Sequence, residues 1–469
     1  MQNESEVSSY VDVLVVGFGP AGAVAAGMLG QKGHTTLVVD RLTGIYDKPR
    51  AIAIDHEIMR HFDNMGIADQ VLPYVAPFTA SQHFGADGQL IRRIDMVAEP
   101  YPLGYTPSMV FTQPPVEMAL RHHADSFDCV TIELGTELIN FTDTGDEVLA
   151  TLKDASGNVR TVSARYVVGC DGAWSTVRQL SGMKFEDLVF DEPWLVVDVK
   201  VHEDAMENLP STSAQFCNPA RPTSFIMGPK NHRRWEIMLL PGEDPREMEK
   251  PENVWGLLSP WLTPRDGELW RAAAYRFHAL VADEWRRGRV TIAGDAAHQQ
   301  PPFIGQGMCQ GLRDVSNLVW KLDRVLKGQS SPDLLDTYTV ERRRHVKTLT
   351  GKIKAIGRTS ANATPRRRPP AMHAFSPRGR KAGDDYPAGD RAADRGRTDR
   401  GGRHTGKGPS FPAAFDHRAR SDHTSRQADR RRMARVPRRP HDRIRRQGLD
   451  RPAAGRPGCA RHRPGERGR

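Results

Sequence analysis

Residues 11–17, VDVLVVG, form a nearly unbroken apolar run of strand length. Residues 20–33 are a helix-length stretch of mostly small apolar residues, and residues 35–40, TTLVVD, a second short run. Continuous runs of this kind suit strands buried on both faces, and the helix between them supplies the crossover that parallel strands need. One βαβ unit is predicted. Two further runs, 165-RYVVG-169 and 289-RVTIAG-294, lead into the turn dipeptides Asp171-Gly172 and Gly294-Asp295. From about 308 to 328, Leu312, Val315, Leu318, Val319, Leu322, Val325 and Leu326 recur at helical spacing, which predicts an amphipathic helix. Around 194–201, 223–228 and 234–241 the pattern alternates in part, as strands of a mostly antiparallel sheet inserted into the parallel one would. A substrate pocket is expected at the seam.

This patterning stops near Thr364. Only six Leu, Ile, Val or Phe occur in the next 105 residues, where Pro, Gly, Arg, Asp, Ala and His dominate. So little apolar surface cannot offset the entropy of ordering the chain, and residues 365–469 are expected to be a low-complexity, disordered tail.

Charge separates the same two regions. Of the 67 Lys and Arg, 30 lie after residue 364, against 11 of the 57 Asp and Glu, so that stretch carries +19 and residues 1–364 carry −9. The basic balance belongs to the tail, and the body lacks the charge of a nucleic-acid-binding protein. Within the tail 28 of the 30 cations are Arg. That excess points to a GC-rich coding region read in another frame, the alternative being a genuine tail that binds nucleic acid.

Five cysteines (Cys129, Cys170, Cys217, Cys309, Cys459) show neither a CxxC nor an even framework, so no metal site or disulfide scaffold is expected and a reduced, cytoplasmic setting is the default. The N-terminus lacks a basic leader, and the apolar stretch 13–30 is broken by Pro20 and five glycines, so neither a signal peptide nor a membrane span is expected.

The run 17-GFGPAG-22 sets Gly17, Gly19 and Gly22 in GxGxxG spacing between predicted strand and helix. The first glycine serves a tight turn, the second lets a pyrophosphate approach the backbone, and the third allows close helix–strand packing. Asp40 ends the next strand, where a carboxylate can bind an adenosine ribose. The stretch 294-GDAAHQQPPFIGQGMCQG-311 joins an acid, a Pro pair and several glycines at a helix start, an arrangement that aims backbone N–H groups at something negative.

These three motifs in this order resemble the single-component FAD-dependent aromatic hydroxylases. Within that family 49-PRAIAIDHEIMRHFDNMGI-67, 111-FTQPPVEMAL-120, 217-CNPARPTSF-225, 241-PGEDPREM-248 and the stretch from 294 to 322 are most similar to the 3-(3-hydroxyphenyl)propionate (3-hydroxycinnamate) hydroxylases. The resemblance spans about residues 10–360. It implies an α/β protein, with a Rossmann-like FAD-binding domain (parts about 10–75, 111–182 and 285–364) and an inserted, mostly antiparallel substrate domain (about 76–110 and 183–284). Together these make a core of 10–364, followed by the basic tail.

The implied cofactor is FAD, with NADH (or NADPH) and O₂ as co-substrates; the implied reaction hydroxylates a small aromatic substrate ortho to its phenol, giving a 2,3-dihydroxy product. The alternatives are the same chemistry on another phenolic or polycyclic ring, or an inactive flavoprotein with a disrupted C-terminus. The resemblance assigns Val11, Gly17, Gly19, Pro20, Ala21, Gly22, Asp40, Arg41, Arg50, Gln113, Asp171, Gly294, Asp295, Pro302, Gly305, Gln306, Gly307 and Met308 to the cofactor. Arg50 would meet the phosphates, Asp295 the ribityl chain, and the loop from Pro301 to Gly307 the flavin ring; a solvent-facing Arg50 and a helix-capping Gln113 are the plain alternatives. His298 is read as a packing residue rather than a base. A propionate needs a cation, and Arg221 is the candidate. The base that activates the phenol is not identifiable.

Three departures from the family stand out: Asp40 where Glu is usual, Cys309 where Asn is common, and a match that ceases near Thr364 where relatives continue into a thioredoxin-like domain. No membrane partner is expected; nucleic acid is one only if the tail is genuine, and a homo-oligomer is compatible with the sequence.

Overall fold

The computed structural model describes residues 7–361, with side chains to 355; the low-complexity stretch after 364 lies outside them. In chain order, the elements that build the site begin with β1 (Val7–Val16), α1 (Pro20–Gln31) and β2 (Thr36–Asp40), the expected βαβ unit. There follow β3 (Ala80–Phe84), β4 (Leu90–Asp95), α2 (Gln113–Asp125), β5 (Val130–Leu134), β6 (Glu137–Asp143), β7 (Val148–Lys153) and β8 (Val159–Gly169). The chain then runs through β9 (Phe185–Val201), β10 (Ser213–Phe216), β11 (Thr223–Met227), β12 (His232–Met238), α3 (Pro251–Leu258) and β13 (Gly267–Ala282). It ends with β14 (Val290–Ile292), β15 (His298–Gln299), α4 (Gly307–Leu326) and α5 (Asp336–Ala361).

The first sheet centres on β14, β8, β1, β2 and β5, all parallel, with β7 and β6 joined antiparallel to β8. Its central strands are buried throughout (Val13–Val16 and Val167–Val168), as their continuous apolar sequence requires. Helix α1 is rich in Ala and Gly because its neighbours come very close: a Cβ on Gly27 would lie 2.7 Å from the His123 ring, and one on Gly30 2.6 Å from Phe127. Helix α4 buries the predicted stripe from Leu312 to Leu326 against the same core.

The second sheet runs β15-β13-β9-β12-β11-β10-β3-β4 and is antiparallel except where β10 meets β3. One face, carrying Leu195, Val197, Val199, Phe225, Trp235 and Ile237, packs on Val254 and Leu258 of α3 and on Trp261 in a separate core. Burying each such side chain contributes about 1.5–3 kcal/mol. Two features of this sheet lie beyond the expected boundaries. β9 starts at Phe185, well before the alternation at 194 becomes visible, and β15, from the cofactor-binding part of the chain, pairs with the edge of β13. A small sheet of Ala53–Asp55, Ser108–Phe111 and Val75–Pro77 lies beside α2 in sequence. Among the described residues no helix is long and apolar enough to cross a membrane, and no cluster of metal ligands occurs.

Candidate functional site

The loops that leave the C-terminal ends of β1, β8 and β14 converge, which is where parallel α/β sheets bind ligands. Gly17 has φ +97°, and a Cβ there would lie 2.4 Å from the carbonyl O of Cys170; on Gly22 it would lie 1.9 Å from the carbonyl O of Gly17. Gly19 differs, since no atom lies within 4 Å of the position its Cβ would take. Its bare backbone forms the N-cap of α1, with Pro20 at the first helical position, so the helix N-terminus is open to an anion. Ala21 meets the third motif: a Cβ on Gly294 would lie 3.5 Å from Ala21 Cβ and 3.7 Å from Gly311 Cα.

Around this junction the assigned acids take distinct positions. Asp40 is half-buried at the end of β2 and accepts hydrogen bonds from Phe18 N–H (2.7 Å) and Leu42 N–H (2.8 Å), which holds it against the glycine loop; Arg41 beside it is exposed. Asp171 accepts from Val177 N–H (3.0 Å) through Oδ2, while its buried Oδ1 has no partner. Burial raises this carboxyl's pKa, opposed by hydrogen bonds from Ser175 and Val177. Asp295 is accessible to solvent, yet protein crowds it closely enough that burial raises its carboxyl too, while His298 and Arg50 pull it down.

Arg50 reaches the same region from a loop that Gln113 fixes: Gln113 Oε1 accepts from the N–H groups of Arg50 (3.0 Å) and Ala51 (2.6 Å). Gln113 Nε2 in turn donates to Glu117 (3.2 Å), and Glu117 pairs with Arg121 (2.8 Å), whose guanidinium lies 4.8 Å from the Phe18 ring centroid. The third loop closes against this one. Gly305 has φ +65°, donates to Pro302 O (2.7 Å), and would place a Cβ 2.4 Å from Ala53 Cβ. Gln306 caps α4, Gly307 has open space where a Cβ would stand, and Met308 packs partly buried on the core.

An open glycine cradle, two open helix N-termini and an orphaned buried carboxylate oxygen fit a dinucleotide such as FAD. Gly17, Gly19, Pro20, Ala21, Gly22, Asp40, Arg50, Gln113, Asp171, Gly294, Asp295 and the 302–308 loop are brought together around that space. Val11 is not. It pairs with Ala164, six residues before Gly17 and so about 20 Å along the strand, toward the opposite end of the sheet. His298 is buried, stacks on Trp285 (5.3 Å) and pairs with Asp314 (2.7 Å), a packing position.

Arg221, the candidate for a substrate carboxylate, already has an acidic partner. It forms a forked ion pair with Glu243 (NH1 2.9 Å, NH2 2.5 Å) and donates to Met238 O (3.1 Å), so its charge is already matched. The charged groups on the second sheet that face the cofactor loops are others. Asp198 takes Arg234 (2.7 and 3.1 Å) and His232 (2.7 Å), with Arg271 at 3.7 Å. Arg234 continues to the carbonyls of Arg50 (2.8 Å) and Pro49 (2.9 Å), and Arg271 also donates to Pro49 O. Burial would raise Asp198, but the Arg234 and His232 charges hold its carboxyl below the usual range. This cluster fastens the Arg50 loop to the sheet.

Glu236 lies on the same face, two residues after Arg234, opposite Val196 on β9 and Ser224 on β11. Burial pushes its carboxyl up to about 7, with Arg234 and Arg271 pulling down and Asp198 pushing further up. Sequence reasoning missed this face. The available signal was 232-HRRWEIM-238, where charged residues alternate with apolar ones inside a segment that proves buried almost throughout.

Residues 10–352 match the family model of the FAD binding domain. The chain is 40% identical over 352 residues to a probable NADH-specific resorcinol 4-hydroxylase of Rhodococcus jostii, covering 74% of this chain and 65% of that one. It is 37% identical over 339 residues to a 3-(3-hydroxyphenyl)propionate/3-hydroxycinnamic acid hydroxylase of Comamonas testosteroni, covering 72% of this chain and 56% of that one. The chain thus spans between half and two thirds of these relatives' length. The crystal structure of p-nitrophenol 4-monooxygenase from Pseudomonas putida superposes with a TM-score of 0.70 at 25% identity, covering 76% of this chain and 91% of that one.

Proposed function

The chain belongs to the FAD-binding aromatic hydroxylase family, and from that premise we propose that it is an NADH-dependent monooxygenase of a small phenol. FAD would supply the reduced, oxygen-activating centre. This chain's own residues would hold it: Gly19 and the α1 N-terminus the pyrophosphate, Asp40 the ribose, Arg50 the phosphates, Asp295 the ribityl chain, and the 302–307 loop with the α4 N-terminus the electron-rich edge of the ring. The second sheet's polar face would position the substrate and keep water out.

The two curated relatives suggest two meta-substituted phenols. One observation favours the uncharged one. On the face turned to the cofactor loops, Arg234 and Arg271 are engaged by Asp198 and by the Pro49 carbonyl, and Arg221 is paired with Glu243. A propionate would have to displace an internal partner, whereas resorcinol needs only hydrogen-bonding groups, which Glu236, Ser224 and Gln215 provide. Resorcinol is therefore the first substrate of this reading and 3-(3-hydroxyphenyl)propionate the second.

The test supplies the full chain with FAD and follows NADH oxidation with each phenol, identifying products. Stimulated oxidation yielding benzene-1,2,4-triol supports the resorcinol reading. The 2,3-dihydroxy acid instead would select the propionate. Bound flavin with no conversion of either phenol would overturn both and leave the inactive flavoprotein.

A further inference from the structure

Beside Asp295, which the reading above assigns to the flavin, the site contains a second acid that no hydrogen bond or ion pair of the fold engages. Glu236 is 6% exposed, yet no hydrogen bond or ion pair to its carboxyl occurs among the described residues, while Arg234 on the same strand makes four. Burying a carboxyl without a partner is costly, and such a group is expected to meet a ligand. Its surroundings fit a ring. Val196 lies beside it on β9 with Ala273 beyond on β13, both apolar, and Ser224 lies opposite on β11 with its hydroxyl donating to Gln215 Oε1 (2.7 Å).

We propose that Glu236 takes the phenolic proton of the aromatic substrate, a deepening that rests on the hydroxylase reading. In this step the phenol O–H bond breaks, an O–H bond forms on the Glu236 carboxylate, and the electron pair stays on the phenolate oxygen. The phenolate enriches the ring carbon ortho to it, where oxygen is to be added. The other ionisable groups on this face include Glu192, Asp198 and Lys200 on β9, His232 and Arg234 on β12, Glu268, Arg271 and Tyr275 on β13 and, across β11 and β10, His83 on β3 with Arg92 on β4. Arg234, His232 and Arg271 are held by Asp198, Arg271 also donates to Tyr275, and Lys200 lies over Trp270. Among these acids Asp198 is saturated with cations, Glu192 accepts from Trp194 Nε1 (3.1 Å) and Glu268 pairs with Lys200 (4.0 Å), which leaves Glu236 as the carboxyl able to receive a proton near neutral pH. A base near 7 is well matched to a phenol near 10.

The experiment uses the full FAD-loaded chain with resorcinol and compares wild type with Glu236→Gln. Two readouts are taken: the pH profile of kcat/KM, and the pH dependence of the Kd of resorcinol for the oxidised enzyme, read from the flavin spectrum without turnover. Wild type is expected to lose activity below about pH 7 and to bind resorcinol more weakly there, as the carboxylate that accepts the phenol O–H becomes protonated. Glu236→Gln should be about 10²–10⁴-fold slower near pH 7, recover tenfold per pH unit as resorcinol ionises by itself, and bind resorcinol without that pH dependence. A Gln variant with the wild-type profile and the wild-type pH dependence of binding overturns the proposal. Should that variant fail to take up FAD, Glu236→Asp decides: a retained acid limb in rate and in binding supports the base, and its loss with flavin bound overturns it. Wild type that binds flavin but converts no phenol overturns the hydroxylase reading instead, and the pH dependence of resorcinol binding still reports on Glu236.

Discussion

At the scale of single residues the three glycines of the first loop make separable demands. Gly17 and Gly22 are required by the protein's own backbone, whereas the space beside Gly19 is open. Gly19→Ala should therefore fold with near-normal thermal stability yet bind FAD at least tenfold more weakly, because its methyl stands where the pyrophosphate must approach. Gly22→Ala should lose stability and soluble yield before affinity can be measured. Flavin titration beside thermal melting checks both; equal stability loss in the two variants would remove the distinction. Those roles were legible in the sequence because the loop's geometry is local. Glu236 and Asp198 were not, since only the folded chain shows that the polar side of an inserted strand is covered by a loop nearly two hundred residues earlier.

At the scale of elements, α4 shows how far pattern reading reaches. Its apolar stripe was visible and its observed span, Gly307–Leu326, lies within two residues of expectation. The polar residues buried on the same helix gave no periodic signal. Asp314 accepts from Gly294 N–H (3.0 Å), His298 (2.7 Å) and Arg342 (2.8 Å), so one carboxylate ties α4 to the Gly294 turn and to α5. Burial would raise it, but His298 and Arg342 hold it below its ordinary value of 3.8. A depressed folded value means stability that is present above that ordinary value and lost as pH falls through the lower folded one. Asp314→Ala should cost about 3–5 kcal/mol at pH 7, because a buried Arg and His lose their counter-charge. The deficit should shrink in acid, and denaturant melts at pH 7 and below pH 4 would show it; a pH-independent loss would assign the effect to packing alone.

At the scale of the whole molecule, the two-layer plan was legible from the switch between continuous and alternating runs, but the crossing of β15 into the second sheet was not, since two residues carry no pattern. The division by charge also belongs here. With +19 after residue 364 and −9 before it, the chain is expected to bind heparin or single-stranded DNA at low salt, with affinity falling steeply as salt rises. A chain ending at residue 364 should lose that binding and keep its flavin. Polyanion binding that survives the truncation would place the basic surface in the body instead.

The long pairing of β9 with β13 has a mechanical consequence. From Val201 back to Asp191 the two strands are paired with one register shift, then the ladder is interrupted between Asp191 and Asp187 before resuming beside β15. In that gap Val189 holds φ 60°, a conformation costly for a β-branched residue, and Phe190 rests 5.7 Å from Phe303 of the 301–307 loop. The ribbon is thus a stiff beam with a notch at the point where it touches the 301–307 loop. Strain gathered there makes the segment around Val189 and Phe190 the part of the ladder expected to yield first, which faster amide exchange at residues 188–190 than along 194–201 would show.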